Sequence, residues 1–222
     1  MENYVDMKIK GVITGDIVQS SKIEPDKRPL LLDRIQEITR DVSKWGNVKT
    51  EIYRGDSFQV VVDNPLVSLQ IMILFRAGLL GYSPAGEKVK WDARVALGLG
   101  IIDFNNRDSV IESDGEAFRN SGREFDKLGK ATRLALKTPW DDLNQEFEIT
   151  TAFVDNVISE WTVTQAQVIY LALLSGYTQK ELARELHKTP QAISKLVNGS
   201  KLKLLELYLE RFRQQLTIKM EL

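Results

Sequence analysis

Asp16 and Asp56 are the two acids best placed to do chemistry. Each stands where an apolar run meets a turn, in VITGD (Val12 to Asp16) and in YRGDSFQVVV (Tyr53 to Val62), and each follows a glycine. If their strands are neighbours in one sheet, the carboxylates come within a few ångströms of each other. Like charges that close raise a pKa or recruit a cation, and oxygen ligands alone suit Mg²⁺ or Mn²⁺. Taken singly, Asp16 could simply cap the turn after it, and Asp56-Ser57 could be ordinary hairpin-loop chemistry.

Other chemistries are closed off by composition. The chain has no cysteine and one histidine, His187, which removes thiolate zinc sites, cysteine nucleophiles and a histidine-based triad or metal centre within one chain. With 43% hydrophobic and 27% charged residues in 222, it reads as an ordinary globular protein. No apolar run reaches the roughly 20 residues of a membrane span, and MENYVDMKIK has no apolar signal core, so no membrane partner and a cytoplasmic location are expected.

The elements that must position the acids follow from periodicity. IKGVITGDIV has the β-branched character of a covered strand, and Glu51–Tyr53 and Phe58–Val62 flank Arg54-Gly55-Asp56-Ser57 as a tight hairpin. A helix is expected from about Pro29 to Trp45. A second starts at Asp63-Asn64-Pro65, carries Leu66, Leu69, Ile73, Leu74 and Ala77, and breaks up at Gly78, Gly81 and Pro84. WDARVALGLGII reads as a central strand, where Gly98 and Gly100 mark close approach by backbone or ligand. After a polar loop over 105–114, a helix is expected from about Glu116 to Leu136, and Gln145–Ile149 reads as a short edge strand. The order β-α-β-β-α-β predicts an α+β fold: a ferredoxin-like palm, an antiparallel sheet backed by helices.

A helix near Thr151–Ser159 then leads into an all-helical tail, with the domain change between about 150 and 162, giving domains 1–152 and 153–222. From Trp161 onward there are nine Lys/Arg and five Asp/Glu, against 21 and 26 before it, so the net −1 splits into +4 and −5. In the tail, GYTQKELARELHKTPQAISKLVNGS carries the sharpest signal. Thr178 and Glu181 form a capping box, His187-Lys188 a turn, Thr189 a cap, and Pro190 a first helical position. That is a helix-turn-helix whose second helix leaves Gln191, Ser194, Lys195 and Asn198 outward, amides and hydroxyls suited to base edges and a lysine suited to base or phosphate. A structural or dimerising three-helix bundle is the alternative. The last helix has more apolar residues (Leu204, Leu205, Leu207, Tyr208, Leu209, Phe212, Leu216) than one small core requires, which points to a homodimer or to packing within the monomer.

On these residues the chain resembles known families. VITGDIVQSSKI, YRGDSFQVVV, WDARVALGLGIID and GEAFRNSGREF resemble successive elements of class III nucleotide cyclases and the related diguanylate cyclase palm. With the C-terminal helix-turn-helix, the whole is similar to the SatD family of bacterial proteins. The resemblance implies that Asp16 and Asp56 hold divalent metal, Mg²⁺ or Mn²⁺, over a nucleoside triphosphate. It implies that the backbone of Ile17, Val18, Ser20 and Ser21 wraps phosphates, and that Arg119 and Arg123 act near the transition state. Arg123 matches the family arginine, whereas Arg119 stands where the family has asparagine, with Asn120 one place out of phase. The expected function is a regulator that binds double-stranded DNA and takes a nucleotide or phosphorylated small molecule on its palm. An active cyclase-type enzyme and a catalytically silent interaction scaffold are the alternatives.

Overall fold

The computed structural model describes residues 9–86, 89–104, 110 and 113–221. Five strands form one sheet in the order β2-β3-β1-β4-β7: β1 is Lys10–Ile17, β2 Val48–Tyr53, β3 Ser57–Val62, β4 Ala93–Gly100 and β7 Leu134–Lys137. β1 lies antiparallel between β3 and β4, and β7 joins β4 in parallel. Two short strands, β5 (Ile102–Phe104) and β6 (Asp114–Gly115), pair separately. The loop expected over 105–114 lies mostly outside the described residues.

Strand alternation gives the sheet two buried faces. Ile13, Ile17, Phe58, Val60, Val62, Val95, Leu97 and Leu99 point toward α1 (Arg28–Val42) and α2 (Pro65–Gly81). Val12 and Val61 point the other way, onto Ala117 and Phe118 of α3 (Glu116–Lys127). Gly98 permits that second layer, because a Cβ on it would stand 2.2 Å from Ser121 N and 2.3 Å from Ala117 O. The approach expected at this strand is made by helix backbone.

α2 is buried all round, as a helix apolar on every side must be. Its outer side is covered by α5 (Val163–Ser175) and α8 (Leu202–Met220), so one apolar cluster runs from Ile13 through Leu74 to Ile169 and Phe212. Gly78 therefore does not break α2, which runs on to Gly81. Both glycines thin it: a Cβ on Gly78 would meet Ile38 and Tyr170, and one on Gly81 would stand 2.8 Å from Gln167 N.

Two further expectations are corrected. α3 stops at Lys127, and Leu134–Lys137, expected to be helical, forms the fifth strand. Gln145–Ile149 is not an edge strand but part of α4, Asp141–Ser159, whose Leu143, Phe147, Thr151, Asp155 and Ile158 are buried at helical spacing. The boundary expected between 152 and 153 falls inside this helix. Among the described residues no helix is long and apolar enough to cross a membrane.

Candidate functional site

The antiparallel register of β1 with β3 sets Asp16 opposite Ser57, one residue from Asp56, and both acids line one open pocket of about 510 Å³ at the end of the sheet. On its other side β1 sets Asp16 opposite Arg94 of β4. Arg94 grips both carboxylate oxygens, Nη2 to Oδ2 at 2.7 Å and Nε to Oδ1 at 3.4 Å. The Ser20 hydroxyl donates to Asp56 Oδ2 at 2.6 Å. Both acids thus line the same pocket, each already held by a protein donor. Among the described residues no group of three or more His, Cys, Asp or Glu side chains gathers as a metal cage.

Around the acids the pocket is cationic. Lys22, Arg94, Lys130 and Arg133 line it against Asp16 and Asp56, so four positive charges face two negative ones. Lys130 and Arg133 come from the segment between α3 and β7, which exists because α3 ends early. The remaining wall is the loop after β1. Ile17 and Val18 lie in it, but their amides are already donated, at 2.9 Å, to the carbonyls of Asp56 and Asp92. Gln19, Ser20 and Ser21 also line the pocket, and Gln19 is left-handed at φ 55°. A bend of this kind can turn backbone amides toward an anion. Chemically, the arrangement can hold a multiply charged anion by guanidinium, ammonium and backbone donors together.

Arg119 and Arg123 are not among the residues lining this pocket. Arg119 pairs with Asp103 and Asp114 at 3.3 and 3.2 Å, and Arg123 lines a separate hollow with Asn120, Glu124, Asp126, Lys127 and Lys137. Asn120 donates its side-chain amide to the Leu99 carbonyl at 2.8 Å, a bond that seats α3 on β4. Sequence reasoning missed Lys22, Arg94, Lys130 and Arg133. For Arg94 a signal existed: Asp92 and Arg94 are the charges in an otherwise apolar strand, two apart and so on one face.

The tail folds as α5, α6 (Gln179–Glu185), α7 (Pro190–Gly199) and α8. The capping box is formed, with Glu181 N donating to Thr178 Oγ1 at 3.4 Å and Thr178 N to Glu181 Oε2 at 2.8 Å. The Thr178 hydroxyl also donates to Glu181 Oε2 at 2.7 Å, and this bond, followed by the one from the Thr178 amide, holds the Glu181 carboxyl below its ordinary range. Thr189 caps α7 through Ala192 N, and His187 makes the turn at φ 50° with its side chain exposed. Leu182, Ala183 and Ile193 close on Val168 as a small core. Gln191, Lys195 and Asn198 are exposed on α7, and Ser194 is partly so. A further capping box, Thr162 with Gln165, starts α5; its T-x-x-Q signature is in the sequence and was not read.

Residues 170–213 match the model of a helix-turn-helix family, HTH_3. No curated protein matches the chain. Two solved structures of a bacterial light-regulated adenylyl cyclase are similar to it, at 16% and 19% identity with TM-scores of 0.40 and 0.37. Each match covers 58% of this chain, and 74% and 42% of theirs.

Proposed function

We propose that the chain is a DNA-binding regulator whose sheet domain takes a phosphorylated small molecule, such as a nucleotide. The observation that carries the first half is the helix-turn-helix match over 170–213, together with the exposed set Gln191, Lys195 and Asn198 on its second helix. Such a helix enters the major groove by its first turn, Gln191 first, with Ser194, Lys195 and Asn198 following. The second half rests on Lys22, Arg94, Lys130 and Arg133 and the left-handed bend at Gln19, which meet at one pocket. We read β2-β3-β1-β4 as a ferredoxin-like palm, with β7 added at its edge, and set the functional division at 152/153.

Asp16 and Asp56 fit a divalent cation only together with its ligand. Asp16 must first exchange Arg94 for the metal, and Mg²⁺ or Mn²⁺ bridged to phosphate oxygens supplies the charge for that exchange. With Arg119 and Arg123 outside the pocket, the reading is one of binding rather than turnover.

The surface also supports a homodimer. Ile149 and Phe153 on α4 and Leu204 and Leu207 on α8 are 56–71% exposed, and Glu146 of α4 pairs with Arg211 of α8 beside them. α4 carries five acids and no base, α8 four bases and two acids. A two-fold axis that lays α4 of one copy on α8 of the other therefore matches charge around an apolar centre. It also gives the two recognition helices that a palindromic site needs.

Titration of labelled duplex DNA with purified protein at several salt concentrations tests the central claim. Binding that weakens steeply with salt is expected, and no binding even at low salt refutes it, because phosphate attraction is strongest there.

A further inference from the structure

Arg133 has one end in the pocket and the other in the interior. Its Nη1 donates to Asp92 Oδ2 at 2.7 Å, and its backbone amide donates to Asp155 Oδ2, also at 2.7 Å. Those two acids are the ones that hold Arg76, which is fully buried in α2. Arg76 donates Nε and Nη2 to Asp92 at 3.0 and 2.8 Å, and Nη1 to Asp155 at 2.6 Å. Two positive and two negative charges thus balance one another inside the protein, and of the four only Arg133 reaches solvent appreciably.

The set continues toward the tail. Asp155 lies on α4, and one turn later Ser159 accepts from Arg76 Nη2 at 3.3 Å. Two residues further, buried Trp161 donates its indole N–H to the carbonyl of Ser200 at 3.0 Å. Ser200 is the residue on which recognition helix α7 ends. An unbroken series of contacts therefore joins the pocket wall to the end of the helix that faces DNA.

We propose that the pocket is the effector site of the helix-turn-helix, and that an anion of two or more charges changes DNA affinity through Arg133. The proposal rests on the reading that this pocket takes a phosphorylated ligand. Arg94 is already paired with Asp16 and Arg133 with Asp92, so Lys22, Lys130 and a released Arg133 are the cations a ligand can take, which suits a di- or triphosphate group rather than a single carboxylate. Such a ligand competes with Asp92 for the Arg133 guanidinium. Leaving Asp92 one partner short inside the protein is costly, so Arg76, Asp92 and Asp155 must redistribute. Arg133 also carries the amide bound to Asp155, so its movement acts on α4 directly, and through Trp161 on the C-terminal cap of α7. Packed interiors pass between discrete arrangements rather than deforming smoothly, which makes this a switch with two settings.

The test uses the full chain, a duplex enriched from a random library by the protein itself, and inorganic triphosphate as probe, with and without Mg²⁺, at fixed ionic strength. Calorimetry measures probe binding, and fluorescence anisotropy measures duplex binding. The expected result is a change in duplex affinity of about 5-fold or more on adding probe, with the duplex changing probe affinity by the same factor, as linkage requires. Trp161→Phe keeps the ring in the core but removes the donor to Ser200; it should bind probe as the parent does and lose most of the change in duplex affinity. Ser159→Ala, a smaller alteration of the same series, serves if Trp161→Phe does not fold. Probe binding with unchanged duplex affinity overturns the coupling and leaves the ligand reading standing. No probe binding overturns both. An equal change in duplex affinity in parent and variants overturns the route, since competition at the DNA face would produce it.

Discussion

Replacing Asp155 by alanine is the sharpest test of the buried charges. Asp155 is 5% exposed and accepts from Arg76 Nη1 at 2.6 Å and from the Arg133 amide at 2.7 Å. Burial draws the Arg76 guanidinium down, and Asp92 and then Asp155 more than offset it, so that it stands above the ordinary arginine range. Without Asp155, Arg76 and Arg133 share Asp92 alone and the interior holds a net positive charge. Breaking a buried pair from one side costs about 3–5 kcal/mol, a large share of the roughly 5–15 kcal/mol that holds a domain folded. Asp155→Leu combined with Arg76→Met removes one charge of each sign, leaving Asp92 with Arg133. The double variant should be more stable than the sum of its single variants predicts, by about 1 kcal/mol or more, even though the Arg133 amide loses its acceptor. Urea unfolding followed by circular dichroism gives all four corners of the cycle. A loss below about 1 kcal/mol for Asp155→Ala, or simple additivity in the double variant, would show that the four charges do not act as a set.

Lys195→Ala should weaken binding to all duplexes alike and flatten the salt dependence by about one unit of slope, whereas Gln191→Ala should change sequence preference by about 1–3 kcal/mol at one base pair; anisotropy on a panel of duplexes separates the two. Gly98→Ala sets a methyl against the α3 backbone and should cost about 1–3 kcal/mol, read as a lower Tm. Because the folded Glu181 carboxyl is held below its ordinary 4.5, its contribution to capping α6 is present above that pH and fades as pH falls through the lowered value. Glu181→Gln should reduce the acid sensitivity of the tail's melting by lowering its Tm at neutral pH toward the value the parent shows in acid, with no difference left below the lowered value. Phe153→Asp should convert a dimer to a monomer by light scattering without lowering Tm, and a parent protein that is already monomeric at working concentration removes the dimer reading.

Much of this arrangement was legible in local sequence. Gly-Asp at the end of a β-branched run and Arg-Gly-Asp between two such runs gave both acids and their hairpin, because turn chemistry is short-range. Thr178, Glu181, Thr189 and Pro190 gave both helices of the helix-turn-helix for the same reason. What failed depended on partners far along the chain. ATRLALK looks like a continuation of α3, and only Leu128-Gly129 hints at the stop; parallel pairing with β4 makes it a strand. QEFEI alternates like a strand, yet burial against α8 at Phe147 and Thr151 makes it helix. Arg76 stands alone in a 17-residue apolar helix, and a lone charge in such a setting is a sign of a buried partner that no local rule can name. The cations of the pocket converge from three separate segments, and nothing nearby in the sequence links them.

The near-contact of Gly81 with the backbone of Gln167 bears on anyone who wishes to move the helix-turn-helix to another protein. α5, the helix before it, has two jobs, since Ile169 and Tyr170 belong to the interior shared with the sheet while Val168 belongs to the small core under α7. A transplant beginning at residue 153 would bring bare apolar surface with it, and a sheet domain ending at 152 would leave the far side of α2 in water. A working graft has to include a host helix with small residues at the two positions where α5 lies flush, or the motif will be held at a different angle from the one it has here.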